Sequence, residues 1–384
     1  MSRVAIKKAV LHWAMDRSGL TMEELQRRFP NARQWDTGES QPTLRQVEAL
    51  ARLTLTPLGF LFLEEPPQES LPLPFFRTLG DQALPGPSPD LLDTLHAMQQ
   101  RQEWMREYLI EQGQEPLSFV RCAQPESAPA VVADSIRGAL KLDERWAAAR
   151  PTWTNALRFL RETMEDTGIL VVSNGVVGNN THRRLDPEEF RGFVLVDEYA
   201  PLVFVNAADG KAAQMFTLAH ELAHVFFGSS AAFDLREMQP ADDPTEQACN
   251  RVAAEFLVPE GELRQLWPSI RAGFDPFENI ARRFKVSSLV GARRALDLGL
   301  ITKAGFLSFY NEYQKQAWRA AAQASEGGDF YATQNLRVGR RFAAAVARAA
   351  REGRLLYSEA YKLTGLHGKT FDHYVASLQI QEPR

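Results

Sequence analysis

The sequence predicts an α+β chain that is mostly helical, with its strands confined to the middle. Three observations carry this. Residues 1–63 and nearly everything after Phe277 repeat apolar side chains at helical spacing. Between Gly168 and Asn206 the runs GILVVS, RGFVLVD and PLVFVN are short, rich in β-branched residues and separated by turn-forming segments, as strands are. An apolar stretch, AAQMFTLAHELAHVFFG, then carries His220, Glu221 and His224 on one helix. The expected layout is a helix-turn-helix bundle at 1–65, a proline- and glycine-rich linker at 66–89, a domain at 90–300 with a helical lead-in, a small sheet and the HExxH helix, and a helical extension at 301–384.

Length and composition set the frame. At 384 residues the chain exceeds one ordinary hydrophobic core, and about 150 residues per domain gives two or three. Hydrophobic residues at 45% and charged residues at 24% are those of a soluble globular protein and exclude wholesale disorder. Cys122 and Cys249 form no CxxC pair, which excludes a disulfide scaffold and a cysteine-rich zinc module and points to a reducing cytoplasm. No apolar run approaches the roughly 18 residues that span a bilayer, and the start of the chain has no signal-peptide pattern, so a cytoplasmic protein with no membrane partner is expected. With a net charge of −4, contact with nucleic acid requires a local basic surface.

In the first module Thr21 and Glu24 make the capping box of a short helix, and Phe29-Pro30-Asn31 makes a turn. A second short helix runs from about Ala32 to Asp36 until Gly38 stops it, and Thr43 caps a third with Leu44, Val47, Leu50, Ala51 and Leu53 inward. Two short helices across a tight turn, followed by a capped third, fit a helix-turn-helix. Residues 1–63 carry nine basic and six acidic side chains, a net of +3 against the sign of the whole chain. Double-stranded DNA is therefore the expected partner of residues 1–65, with Arg33 and Gln34 facing the major groove and Thr43 and Arg45 at phosphates. The alternative is a helical module that docks a partner protein or packs on the rest of the chain. Trp35 reads as core rather than as a base-stacking ring.

Prolines and glycines from Pro66 to Pro89 interrupt helical periodicity twice. Asp90 to Gln112 then reads as a long amphipathic helix, with Leu91, Leu92, Leu95, Met98, Met105 and Leu109 near helical spacing. Among the strand runs, PLVFVN admits two uses: a core strand, or an exposed edge to which an extended peptide adds.

The chemistry is concentrated at His220-Glu221-Leu222-Ala223-His224. Residues i and i+4 share a helix face, so both imidazoles can reach one ion, while Glu221 projects about 100° away, within reach of a water at the ion's open position. The set suits hydrolysis, because zinc lowers the pKa of its water towards about 7 and a carboxylate can take the proton. Phe216, Leu218, Leu222, Ala223, Val225, Phe226 and Phe227 make the helix, Ala212 to Phe227, largely buried, and Gly228 stops it. Histidine and glutamate on so apolar a helix carry a desolvation cost unless paired or metal-bound.

A second helix, Pro244 to Leu257, offers the third donor. Asp243 or Thr245 caps it, Glu246 falls on its first turn, and Asn250 lies four residues on, where its amide can hold an imidazole or the ligand carboxylate. Glu255 competes with Glu246 but points roughly to the opposite face, and the Asn250 pairing favours Glu246. Zinc is the expected ion, with manganese or iron able to occupy the same donors. An oxyanion-steadying group is expected as well; His182 and Tyr199 are nearest in sequence, and spacing selects neither.

FTLAHELAHVFFG, the acidic interval after it and EQACNRVAAEFLVP resemble the signature of the ImmA/IrrE family of metallopeptidases over roughly residues 150–300. The resemblance implies a zincin-like peptidase core of the thermolysin kind, with His220, His224 and Glu246 on zinc and Glu221 as general base. Cys249 and Val252 stand where the family usually has alanine and phenylalanine, and neither is given chemistry. WDTGESQPTLRQVEALA is similar to the Xre/Cro-type helix-turn-helix often fused before such a peptidase, and PFFRTL to the junction of such fusions. Together they imply a gluzincin-like regulatory zinc endopeptidase that cleaves a repressor or antitoxin-like protein and is recruited through DNA. The same architecture also admits a cognate toxin as partner. The rival reading is a non-proteolytic transcriptional regulator, or antitoxin of a toxin-antitoxin pair, whose metal site is structural or vestigial.

Beyond Ile301, Arg337, Arg340, Arg341, Arg348, Arg351 and Arg354 recur along helices, with a break at Glu326-Gly327-Gly328 and two helices about a Gly365–Gly368 turn. A solvated basic face is the plainer reading of these arginines, and a second nucleic-acid contact the other. His367 and His373 do not share a helix face and are not read as ligands.

Overall fold

The computed structural model describes residues 3–68, 87–233, 243–321 and 330–378. The linker at 66–89, the PFFRTL junction, the acidic interval and the Glu326-Gly327-Gly328 break fall wholly or largely outside them. The chain separates into two compact units, residues 1–72 with 79–95 and residues 73–78 with 96–384.

In the first unit, α1 (Lys8–Arg17), α2 (Met22–Arg28), α3 (Ala32–Thr37), α4 (Leu44–Leu53) and a 3-10 turn (Leu58–Phe62) enclose a core that includes Val10, Leu25, Trp35, Val47, Leu50 and Leu61. Thr21 with Glu24 and Thr43 with Gln46 each form a capping box, satisfying donors that a helix start leaves unpaired. Gly38 ends α3 in the left-handed region at φ 79°. Trp35 is buried against Phe29, in the core as its apolar setting predicts.

Next come α5 (Pro89–Glu111), α6 (Pro129–Leu140), α7 (Trp153–Asp166), β1 (Leu170–Asn174), β2 (Val176–Val177), β3 (Asn180–Arg184), β4 (Gly192–Leu195), β5 (Leu202–Asn206), α8 (Lys211–Phe227), β6 (Ala231–Phe233) and α9 (Pro244–Leu257). Eight helices follow: α10 (Glu260–Ile270), α11 (Pro276–Phe284), α12 (Ser288–Asp297), α13 (Lys303–Ala321), α14 (Phe330–Val338), α15 (Arg340–Arg351), α16 (Tyr357–Thr364) and α17 (Gly368–Ser377). The architecture is α+β and mostly helical, with a small mixed sheet of four strands and a separate two-stranded hairpin among the described residues.

The three β-branched runs become β1, β5 and β4, in a sheet of order β1-β5-β4-β6. β5 pairs parallel with β1, Leu202 facing Leu170, and antiparallel with β4, Phe204 facing Phe193. With neighbours on both sides and all five residues buried, β5 is a core strand, which corrects the exposed-edge alternative. The β2–β3 hairpin, β6, α6, α7 and α10 come in addition to the elements read from the sequence.

α8 is buried from Gln214 to Phe226 because it lies among β4, β5, α6, α7 and α9. Its Leu218, Leu222 and Val225 share one core with Val252 and Phe256 of α9 and Val194 and Val203 of the sheet. Each such side chain contributes about 1.5–3 kcal/mol on burial, enough together to hold three ionisable groups out of water. The carboxy-terminal helices dock on this unit through specific polar contacts. Arg101 of α5 donates to the carbonyls of Leu363 (2.9 Å) and Arg337 (2.8 Å), and Glu165 of α7 accepts the Arg341 N–H. Arg340 pairs with Asp166 at 2.9 Å, so part of the arginine series serves docking rather than solvation. Among the described residues no helix is long and apolar enough to cross a membrane.

Candidate metal centre

α8 sets His220, Glu221 and His224 side by side, and none of the three has any solvent exposure. The two imidazole Nε2 atoms are 3.1 Å apart. Glu246 reaches between them from α9, with Oε2 3.1 Å from His220 Nε2 and Oε1 3.0 Å from His224 Nε2. The approach is fixed locally: the Asp243 carboxylate accepts the N–H groups of Thr245 and Glu246, Pro244 opens the helix, and Glu246 comes out on the first turn.

These spacings fit a small divalent cation. Donor atoms on a tetrahedral zinc at about 2.0–2.1 Å stand about 3.3 Å from one another. Three buried donors at 3.0–3.1 Å need little adjustment to accept one. The outer nitrogens are also held. His220 Nδ1 lies 3.1 Å from Asn250 Oδ1, and His224 Nδ1 lies 2.8 Å from Ser229 Oγ, so both Nε2 atoms face inward.

The electrostatics agree with that role. Burial lowers the His220 pKa, favouring the neutral ring that a metal requires. Burial pushes Glu246 upward, but its hydrogen bonds to the two imidazoles outweigh this and hold it below the usual carboxylate range. Glu221 is pushed well above that range by burial and then by Glu246, and neither of its oxygens has a hydrogen-bond partner among the described residues. β4 runs directly against it. A Cβ added at Gly192 would stand 3.2 Å from Glu221 Oε1, 2.8 Å from the Phe204 carbonyl oxygen and 2.5 Å from Thr217 Cγ2, so only glycine leaves room for this packing.

Other residues singled out from the sequence lie elsewhere. Glu255 is ion-paired with Arg294 and accepts the Glu260 N–H at 3.2 Å. His182 sits on the exposed hairpin strand β3, and the Tyr199 ring lies beneath Arg106. Arg33 and Gln34 are exposed on the six-residue α3 and Arg45 is exposed on α4, whereas the Thr43 hydroxyl is taken up by its capping box.

Two neighbours of the centre add to the residues read from the sequence: Ser229, which no local signal marks, and Cys249, which was given no chemistry. Ser229 follows the left-handed Gly228 that closes α8, and only the reversal of the chain there brings its hydroxyl back to His224. Cys249 lies one helical turn after Glu246, and its Sγ stands within 4.8 Å of a ring nitrogen of each histidine. Burial pushes its thiol well up, so it packs there in the neutral form.

A buried pair of imidazoles, a bridging carboxylate and a second carboxylate without a hydrogen-bond partner among the described residues form one cluster whose donors suit a metal ion. A family model described as IrrE N-terminal-like domain, of the M78 peptidases, matches residues 164–296, which include all four side chains. The match supports a metal-dependent peptidase of the ImmA/IrrE kind for this part of the chain. A second model, a domain of unknown function (DUF8813), matches residues 338–377. No curated protein matches the chain.

Proposed function

We propose that the chain is a regulatory zinc-dependent endopeptidase, working in the cytoplasm on a protein of the repressor or antitoxin-like kind. The observation that carries this reading is Glu221: a wholly buried carboxylate with two free oxygens beside three convergent donors. A purely structural site has no use for it. His220, His224 and Glu246 would hold the ion, and zinc, once bound, supplies Lewis acidity toward a peptide carbonyl and its attacking water. Asn250 and Ser229 keep the imidazoles oriented. Glu221 accepts a proton from the attacking water at one Oε and returns it to the leaving amine, which is why this group sits apart from the donors. For residues 1–65 the proposed partner is double-stranded DNA, supported by the +3 charge of residues 1–63 and by the exposure of Arg33 and Arg45.

A Glu221→Gln variant, assayed in cells for the abundance of candidate target proteins together with metal content, tests the reading. Stoichiometric metal with a stabilised target is expected, and turnover should fall by about 10²–10⁴-fold. Target levels and reporter output equal to wild type would transfer the protein to the non-proteolytic class.

A further inference from the structure

Among the described residues, three pairs of helices meet across a three-residue turn: α2–α3, α11–α12 and α16–α17. The last two share one pattern of turn and burial. Each turn opens on a left-handed residue, Lys285 at φ 57° and Gly365 at φ 70°. Counted from that residue, the positions at −5, −1, +1, +6 and +9 are buried in both pairs. In the second pair these are Ala360, Thr364, Leu366, Phe371 and Tyr374. This burial pattern is that of a helix-turn-helix: the rings of Tyr357 and Tyr361 on α16 meet Phe371 on α17, and α15 packs against both helices.

The three pairs differ in what their second helix offers. α3 has six residues, fewer than two turns, too short to lie along a groove. α12 is buried or half-buried at every position except Asp297. α17 has ten residues, and Lys369, Asp372, His373, Ala376 and Ser377 are exposed along one side. The module that carries it is also basic, against the sign of the whole chain. Residues 339–378 hold seven Lys and Arg against three Asp and Glu, a net of +4 in a chain of −4. Arg348, Arg351, Lys362 and Lys369 are all exposed there.

We propose that α16 and α17 form a nucleic-acid-reading unit that takes duplex DNA, with α17 in the major groove. Lys369 and His373, one helical turn apart, face base edges, and Ser358 and Lys362 of α16 meet phosphates. Asp372 repels phosphate but can accept a hydrogen bond from a cytosine amino group, so it favours the groove over the backbone. This site is independent of the peptidase centre and additional to the contact proposed for residues 1–65.

The test uses the full chain and a fluorescein-labelled mixed-sequence duplex of about 20 base pairs, two helical turns. Binding is followed by anisotropy from about 50 to 200 mM salt. The charge-reversed pair Lys362→Glu and Lys369→Glu should bind at least tenfold more weakly at about 100 mM salt, with a log–log salt slope shallower by about one. The neutral pair Lys362→Gln and Lys369→Gln, which leaves every buried position intact, should move the same way by a smaller factor. The proposal is overturned if both pairs bind as wild type does. Loss confined to an Arg33→Glu, Arg45→Glu variant would overturn it too, as would a wild-type chain that shows no salt-dependent duplex binding; that last result would make this face a protein-docking surface.

Discussion

Glu246 and Glu255 stand on the same helix, and their surroundings assign them opposite work. Glu246 opens toward α8 and bridges two imidazoles, whereas Glu255 neutralises Arg294, whose guanidinium also donates to the Val258 carbonyl at 3.1 Å. Removing the first should empty the centre and leave the fold in place. Removing the second should spare the centre and leave a buried guanidinium without its partner, at a cost of about 3–5 kcal/mol. Metal analysis and denaturant titration of Glu246→Ala and Glu255→Ala should therefore separate cleanly: low occupancy in one, normal occupancy with a lowered midpoint in the other. The reverse pattern would move the ligand role to Glu255. The local part of this was legible in sequence, because the spacing from Glu246 to Asn250 fixes a helix face. Arg294 and Ser229 were not, since what places them is the packing of separate elements or the reversal of a turn.

At the scale of elements, strand β4 and helix α8 approach so closely at Gly192 that the sheet itself positions Glu221. Gly192→Ala should push against a backbone carbonyl that cannot swing aside. We expect a loss of about 1–3 kcal/mol, typical of overpacking, and a larger fractional loss of peptidase activity than of metal content; unchanged stability and activity would show that β4 gives way. The second contact of this kind is Glu165, which holds the start of α15 through the Arg341 N–H. Burial raises its pKa above the ordinary 4.5, so the folded chain binds a proton more readily there than the unfolded chain does. Stability from this group is then greatest below pH 4.5 and declines as pH rises through the raised value. A Glu165→Gln variant should show a flatter decline of melting temperature over that window; parallel pH profiles would remove Glu165 from the account. Elements announced by local signals were readable in advance, among them the caps at Thr21 and Thr43 and the Asp243-Pro244 start of α9. β2 has two residues, β6 three, and β3 is the polar run NTHRR, so none carries the alternation that marks a strand.

For the whole molecule, the centre ties together two helices that anchor one core. Its donors come from α8 and α9, and both helices contribute core side chains that pack against the sheet and against each other. Without a cation, Glu221 and Glu246 are two acidic groups held out of water, and Glu246 adds to burial in disfavouring the ionisation of Glu221. A divalent ion offsets that repulsion only in the folded chain, where the donors converge, so its binding energy becomes folding energy. At a free ion concentration of about 1,000 times Kd the gain is about 4 kcal/mol. For a unit of this size that corresponds to a rise in melting temperature on the order of 10 °C. Calorimetry of the chelator-treated chain, before and after stoichiometric zinc, should show the transition of the larger unit moving up by that amount, and the same titration of Glu246→Ala should move it little. The decisive comparison lies between the two units of one molecule. The first contains none of the donors, so its transition should stay where it was, and an equal shift in both would mean that the ion acts on the surface rather than through α8 and α9.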